Sequence, residues 1–308
     1  MSNTSIYSPS VETLPVAVSG ANGFTGRFVC CELQRRCIPF IALLRPGTDP
    51  SWMRDRQIPV RFANLNDNGQ LADQLLGCWA LLNVASLGFG AAPAILDACQ
   101  IAGVRRAVFV STTAIFTHLN AGSKSIRQAA EDAITSSGLD ATILRPTMIY
   151  GTPGDRNMIR LLQWLRRWPV LPVFGNGRSL QQPVYVADVA WAVVQVLETP
   201  QTIGRQFNLS GALPLTYIEV ARTASQALGR RLHRIHVPAS PIIALLQAAE
   251  RLRIKLPIKA EQILRLNENK AFPHYEAAEV FGYSPITFDQ GIQREVALFH
   301  AGSDGLSC

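Results

Sequence analysis

Short apolar runs recur along the first half of the chain, and segments with helical spacing separate them. Pro15-Val16-Ala17-Val18-Ser19 and Pro39-Phe40-Ile41-Ala42-Leu43-Leu44 have the character of short buried strands. Between them, Arg27 to Arg36 places Phe28, Cys31 and Leu33 on part of one helical face. Residues 15–45 therefore predict strand, turn, helix, strand, which is one βαβ unit. The alternation continues with strands over Val60–Ala63, Ala80–Ala85, Ala107–Ser111 and Ala141–Pro146. Helices are expected over Gly69–Leu76, Ala92–Gly103 and residues 126–137. Apolar strands spaced by helices predict a parallel sheet covered on both faces. Right-handed crossovers make it a doubly wound α/β fold of Rossmann type.

Past residue 150 the rhythm changes. Met158–Trp168 predicts a helix, a Pro/Gly-rich stretch runs from Pro169 to Gly177, and Val184–Glu198 combines a strand edge with a helix. A strand over Gln206–Ser210, a helix over Tyr217–Leu228 and a largely helical tail from Pro241 to Phe299 follow. The expected organisation is a flexible leader (1–14), a dinucleotide-binding domain (15–150), a smaller substrate lobe partly interleaved with it (151–300) and a tail (301–308).

The 308 residues are 48% hydrophobic and 17% charged, too apolar for disorder and sufficient for a large core. A formal net charge of +7 favours anionic partners: a phosphorylated cofactor, nucleic acid or an acidic membrane surface. Nucleic acid has no supporting motif and is not expected. No apolar run reaches the ~18–20 residues of a membrane span, and the first residues lack the features of a secretory signal. The six cysteines include no CxxC pair, and the five histidines do not join them in a zinc pattern. Buried thiols, a reducing cytoplasmic compartment and no metal are the expectation.

Glycines at 20, 23 and 26 form G-x-x-G-x-x-G between the first strand and helix. Gly20 permits the tight turn, Gly23 lets a pyrophosphate approach the backbone, and Gly26 lets helix and strand pack closely. The helix N-terminus then offers free N–H groups and partial positive charge to phosphates. An NAD site usually places a carboxylate ~20 residues later to hold the ribose hydroxyl. This chain has Arg45 there, with no carboxylate nearby before Asp49. An arginine suits the 2′-phosphate of NADP, so NADP(H) is favoured over NAD(H), with Arg27 a second candidate for that phosphate.

Together with Asn64-Leu65-Asn66-Asp67, Asn83-Val84-Ala85-Ser86, Val110-Ser111-Thr112-Thr113 and Arg145-Pro146-Thr147-Met148-Ile149-Tyr150-Gly151, this spacing resembles the extended and atypical short-chain dehydrogenase/reductases. Gln182 to Ala190 and Phe207-Asn208-Leu209-Ser210-Gly211 carry the resemblance into the second half. It is nearest to the epimerase/dehydratase group and to NADPH-binding relatives such as a complex I accessory subunit. It implies that Asn22, Phe24 and Thr25 join the glycines around the cofactor. Asn64 and Leu65 would lie near the adenine, Ala85 and Ser86 near the ribose and diphosphate, and Pro146 along the nicotinamide. Thr112 would match the family's Ser/Thr on the reacting oxygen, and a homodimer is implied as well.

One part of the family pattern is missing. Its Tyr-x-x-x-Lys pair supplies the acid/base and holds the nicotinamide ribose, yet no tyrosine occurs between Tyr7 and Tyr150. One register, counted from Glu131, puts Ser123 and Arg127 at the pair, and another puts Asn120 and Lys124 there. Arg127 or Lys124 would hold the ribose, while His118 is a candidate replacement for the phenol. Tyr150, Tyr185 and Arg178 are candidate substrate contacts from the second lobe. The basic, aromatic helix Met158–Trp168, and the cations that follow Ile242, Ile243, Leu245 and Leu246, leave a membrane-surface contact open beside ordinary packing.

Two functions remain. One is an NADP(H)-dependent oxidoreductase or epimerase that moves a hydride at a carbonyl or carbinol carbon of a small polar molecule, with sugar-like, diphosphate- or lipid-linked substrates in view. The other is a non-catalytic NADP(H)-binding scaffold or redox sensor that acts through a partner protein.

Overall fold

The computed structural model describes residues 14–119, 122–168, 170–252 and 260–302. The expected leader lies outside these residues except for Leu14, as do Asn120 and the end of the tail from 303. In chain order the first half runs β1 (Val16–Ser19), α1 (Phe24–Arg35), β2 (Phe40–Leu44), α2 (Ser51–Arg54), β3 (Val60–Phe62), α3 (Asn68–Leu75), β4 (Ala80–Asn83), α4 (Ala92–Ala102), β5 (Arg106–Val110), α5 (Lys124–Thr135) and β6 (Asp140–Pro146). The second half contains β7 (Ile149–Tyr150), α6 (Met158–Arg167), β8 (Val170–Phe174), β9 (Leu180–Gln181), β10 (Val184–Tyr185), α7 (Val186–Leu197) and β11 (Gln206–Leu209). After it come β12 (Leu215–Thr216), α8 (Tyr217–Ala227), β13 (His233–Val237), α9 (Ala239–Arg251), α10 (Ala260–Leu266), α11 (Tyr275–Phe281) and α12 (Phe288–Ala301).

Seven parallel strands form the central sheet in the order β11-β6-β5-β4-β1-β2-β3. Because side chains alternate across a strand, each apolar strand feeds two cores. Val16, Val18, Ala42, Leu44, Ala80, Leu82, Val108, Val110 and Leu144 face one layer, which α1, α7 and α11 cover. Ala17, Ile41, Leu43, Leu81, Ala107, Phe109 and Ile143 face the other, under α3, α4 and α5. Each large side chain so buried contributes roughly 1.5–3 kcal/mol. The doubly wound expectation is met.

Several details differ from it. The stretch after residue 169 forms β8, paired in parallel with β13, because Leu171 and Val173 bury against Ala221 and Leu232. The strand at 206–209 belongs to the first sheet, beside β6. The expected strand over 80–85 ends at Asn83, where the chain turns toward a short 3-10 helix at Leu87–Phe89. Cys30, Cys78 and Cys99 are buried thiols, but Cys37 is exposed and Cys31 is disulfide-bonded, which corrects the uniform thiol reading.

A third core is built from elements that follow β6. Tyr150, Met158, Leu162, Leu165, Val220, Phe288 and Ile292 meet there. Thr287 starts α12 and Thr216 starts α8, each with reciprocal side-chain and backbone hydrogen bonds at the helix N-terminus.

Candidate functional site

The direction of winding reverses between β1 and β4, which opens a crevice at the carboxyl ends of these strands, where doubly wound sheets bind dinucleotides. Gly20 turns the chain with φ +70°, and a Cβ there would lie 2.7 Å from the Ala85 backbone nitrogen. At Gly26 a Cβ would come within 2.0 Å of the Gly20 carbonyl oxygen. Two glycines thus let α1 and the β4 loop close on the turn. Gly23 is the N-cap of α1 and its amide donates to the Gly20 carbonyl at 2.9 Å. Because no side chain caps this helix, its first amides remain available to an anion.

Beneath the crevice, Ser19 Oγ donates to Asn83 Oδ1 at 2.6 Å, and Asn83 Nδ2 donates to the Ala85 carbonyl at 3.1 Å. Both side chains are buried, so this bridge fixes β1, β4 and the following loop as a unit. Ser86 then receives the Gly88 amide and starts the 3-10 turn.

Arg27 donates to Asn22 Oδ1 at 2.7 Å and its guanidinium lies 5.0 Å from the centre of Trp52, which Arg56 also covers. Phe24 stacks edge-on with Phe28, while Thr25 is in the first turn of α1. Arg45 is exposed immediately after β2. Asn64 Oδ1 accepts from the Asn66 amide, and Leu65 packs against the second core.

The side chains expected to carry chemistry each have partners of their own. Thr112 Oγ1 accepts from the Ala114 amide at 3.2 Å and starts the 3-10 turn at Thr113–Phe116. Lys124 Nζ donates to the Thr117 carbonyl at 2.6 Å, so its ammonium is committed to the loop. His118 is exposed, and its backbone amide donates to Glu268 at 2.7 Å. Arg127 donates to Ser123 Oγ at 2.5 Å and lies against Gly88, where an added Cβ would meet its Nη2 at 3.0 Å. Burial, with Arg265 as a second cause, lowers its pKa. Arg127 thereby reaches the Ser86–Phe89 loop beside the crevice.

Pro146 ends β6 and its carbonyl accepts from Thr113 Oγ1 at 3.4 Å. Tyr150 is 1% exposed, with its hydroxyl 3.4 Å from the Phe288 carbonyl and its ring packed on Tyr185 and Phe288. Tyr185 is also buried, with Arg294 over its ring. Burial raises the pKa of both phenols. Two tyrosines expected at a substrate are therefore core residues, because the β7–β10 pair sits between α7 and α12. Arg178 remains exposed in the loop after β8, its amide donating to Asn176 Oδ1.

The floor contains an ion pair that residue spacing did not predict. Glu131, 4% exposed on α5, accepts from Ser111 Oγ and from the Arg145 guanidinium, which also donates to Gln206. It joins the end of β5 with β6, β11 and α5. The segment after α10 reaches the loop that follows β5. Glu268 accepts from Thr117 Oγ1 and the His118 amide, Phe272 meets the ring of Phe116 at 5.6 Å, and the Phe272 amide donates to Gln182. Ser210 Oγ lies 2.8 Å from His274 Nδ1, and burial lowers the pKa of that imidazole. These pairs span 60 residues or more of chain, beyond the reach of motif reading. Among the described residues, no cluster of His, Cys, Asp and Glu could hold a metal ion.

The fold matches those of solved nucleotide-sugar enzymes. A UDP-glucose 4-epimerase from Thermotoga maritima, solved with UDP-glucose, superposes with a TM-score of 0.74 at 15% identity, covering 94% of this chain and 99% of that one. A dTDP-glucose 4,6-dehydratase from Streptomyces venezuelae, with NAD bound, gives 0.69 at 19% identity, covering 93% and 97%. Among curated proteins, the chain is 29% identical to ceramide reductase from Caulobacter vibrioides over 74% of its own length and 75% of the relative's. It is 24% identical to the mitochondrial NADH dehydrogenase 1 alpha subcomplex subunit 9 of Arabidopsis thaliana, over 85% and 70%. A family model described as NAD(P)H-binding matches residues 20–200, from the first glycine of the turn through α7. More than half of the chain lies in that match, and the protein belongs to the NAD(P)H-binding family with an epimerase/dehydratase-like fold.

Proposed function

We propose that the protein is an NADPH-dependent reductase that delivers a hydride to the carbonyl carbon of a polar or lipid-linked substrate. The observation that carries this reading is the uncapped N-terminus of α1, held against the Ser19–Asn83 bridge, with Arg127 packed on the Ser86–Phe89 loop. The glycine turn and the α1 amides would hold the diphosphate, and Arg45 the 2′-phosphate. Arg127 would bind the nicotinamide ribose in place of the family's lysine, because Lys124, the cation of the other register, donates to the Thr117 carbonyl. When bound, NADPH supplies the hydride. Thr112 would orient the substrate oxygen. Arg127 remains protonated near neutral pH and is no proton donor for the alkoxide. His118 or water at the loop would supply that proton. Likeness to ceramide reductase favours a carbonyl on a polar lipid over a nucleotide sugar.

The test is NADPH oxidation with two substrate panels, keto-lipids of the ceramide class and nucleotide-linked keto-sugars. Turnover on a keto-lipid, abolished by Thr112→Val and Arg127→Ala, is the expected result. A second reading has its own support: Lys124 is diverted, His118 faces solvent, and no phenol lies on the loop. In that reading the dinucleotide is a structural or sensing element for a partner protein. Tight NADPH binding with no turnover on either panel, and co-purification of a stoichiometric partner, would favour it over the reductase.

A further inference from the structure

Away from the nucleotide crevice, the C-terminal end of α8 and the edge strand β13 enclose an open cleft of about 390 Å³ lined by Arg222, Gln226, Arg230, Arg231, Leu232, His233 and Arg234. Four arginines and a histidine line it and no carboxylate does, the nearest acidic neighbour on α8 being Glu219, which acts on Arg222. Among the described residues, none of the four arginines forms a salt bridge, whereas Arg35, Arg36, Arg145, Arg205 and Arg265 each have a Glu partner. The backbone holds the cluster in place. The Arg230 amide donates to the Ser225 carbonyl at 2.9 Å, and Ser225 Oγ, from a 1% exposed residue, returns a bond to the Arg230 carbonyl at 3.0 Å. Arg234 is fixed in register opposite Leu171, so its side chain leaves β13 on the face toward α8.

Like charges gathered on one cleft repel, and their cost falls when an anion with several oxygens enters among them. Guanidiniums match phosphate oxygens by paired N–H donors, and the cleft volume suits a pyrophosphate-sized group. We propose that this cleft is a second anion site, separate from the glycine turn, that takes a phosphate-bearing ligand with two or more charges. The shared chemistry is a di- or polyphosphate, free in solution or on a lipid headgroup. The site stands apart from the hydride reading, since none of its residues has a role there.

Two arms distinguish the sources. Calorimetric titration with inorganic pyrophosphate reads the free ligand, and co-sedimentation with phosphatidylcholine vesicles, with and without phosphatidylinositol 4-phosphate, reads the headgroup. Each is run on the wild type, on Arg230→Gln/Arg231→Gln/Arg234→Gln, and on Gly26→Ala, which disturbs the nucleotide turn and α1. Binding in either arm that weakens at least tenfold in the triple variant, falls with added salt and persists in Gly26→Ala supports the site. Arg222→Gln alone, on the opposite wall, should weaken it as well. An unchanged thermal midpoint of the triple variant shows that the fold survives. Absence of binding in both arms, equal binding by the triple variant, or loss in Gly26→Ala alone would overturn the proposal.

Discussion

Replacing Gly26 by alanine isolates the contact between α1 and the turn. In an ordinary helix this change stabilises by up to about 1 kcal/mol, since glycine is the poorer helix former. Here the new Cβ would stand 2.0 Å from the Gly20 carbonyl oxygen, 2.8 Å from its carbon and 2.9 Å from Ala21 Cα, all backbone atoms. No rotamer change relieves such a clash, so α1 must retreat from the turn by about 1 Å to reach the 3.0 Å that real Cβ atoms tolerate. Overpacking of this kind costs typically 1–3 kcal/mol. After the helix-propensity gain, a net loss of up to about 2 kcal/mol remains, a fall of up to roughly 3 °C in the unfolding midpoint of a chain this long. The same displacement carries the helix amides away from the diphosphate, so NADPH should bind at least tenfold more weakly. Gly69 provides the control, because it lies in the first turn of α3 with its nearest foreign atom 3.7 Å from the added Cβ. Gly69→Ala should leave NADPH binding intact and hold or raise the midpoint. Differential scanning fluorimetry and Trp-to-nicotinamide energy transfer read both quantities. If Gly26→Ala matched Gly69→Ala in both, the reasoning about close approach would be wrong.

Three further outcomes are expected. Arg45→Asp should weaken NADPH about tenfold to a hundredfold while sparing NADH, as loss of a charge-assisted bond requires; equal loss of both cofactors in the same titration would remove Arg45 from the 2′-phosphate. Glu131→Ala should cost about 3–5 kcal/mol in denaturant unfolding, since it leaves Ser111 and the Arg145 guanidinium without their buried partner, and a loss below about 1 kcal/mol would contradict that. Burial and the neighbouring Asp155 raise the Glu295 carboxyl to about 10 from 4.5, so it stays protonated in the fold and ionises in the unfolded chain. Its stabilising contribution is complete below about pH 4.5 and is lost as pH rises toward 10. Glu295→Gln should therefore flatten the fall in melting temperature between pH 5 and 9, and a parallel pair of curves would count against a protonated Glu295.

Local pattern carried most of the sheet. Strands such as Val16–Ser19 and Phe40–Leu44 are apolar on both faces, and the glycines at 20 and 26 report a backbone approach that only a missing Cβ allows. What spacing could not reveal is long-range pairing. β8 has a proline in its middle and looked like a loop, yet it pairs with β13, some sixty residues away. Tyr150 and Tyr185 were attractive as phenols for a substrate. Whether a tyrosine is packed or presented depends on α12, more than 100 residues later in the chain for both. The absence of a phenol from the 112–127 segment was readable directly, because it is a matter of composition. The commitment of Lys124 to a backbone carbonyl was not.

The position of β11 has a consequence for how the chain is made. β6 leaves the ribosome with β5 on one side and an open edge on the other, and the strand that covers that edge begins about sixty residues later. At synthesis rates of about 5–20 residues per second, the edge waits roughly 3–12 s for its neighbour. Its residues Ala141, Ile143 and Leu144 are buried in the finished sheet, which makes the waiting strand a site for misplaced pairing. Arg145 marks the same edge with a charge whose partners include Gln206, on the arriving strand itself. The waiting edge thus carries a charge, and Gln206 takes it up when β11 docks.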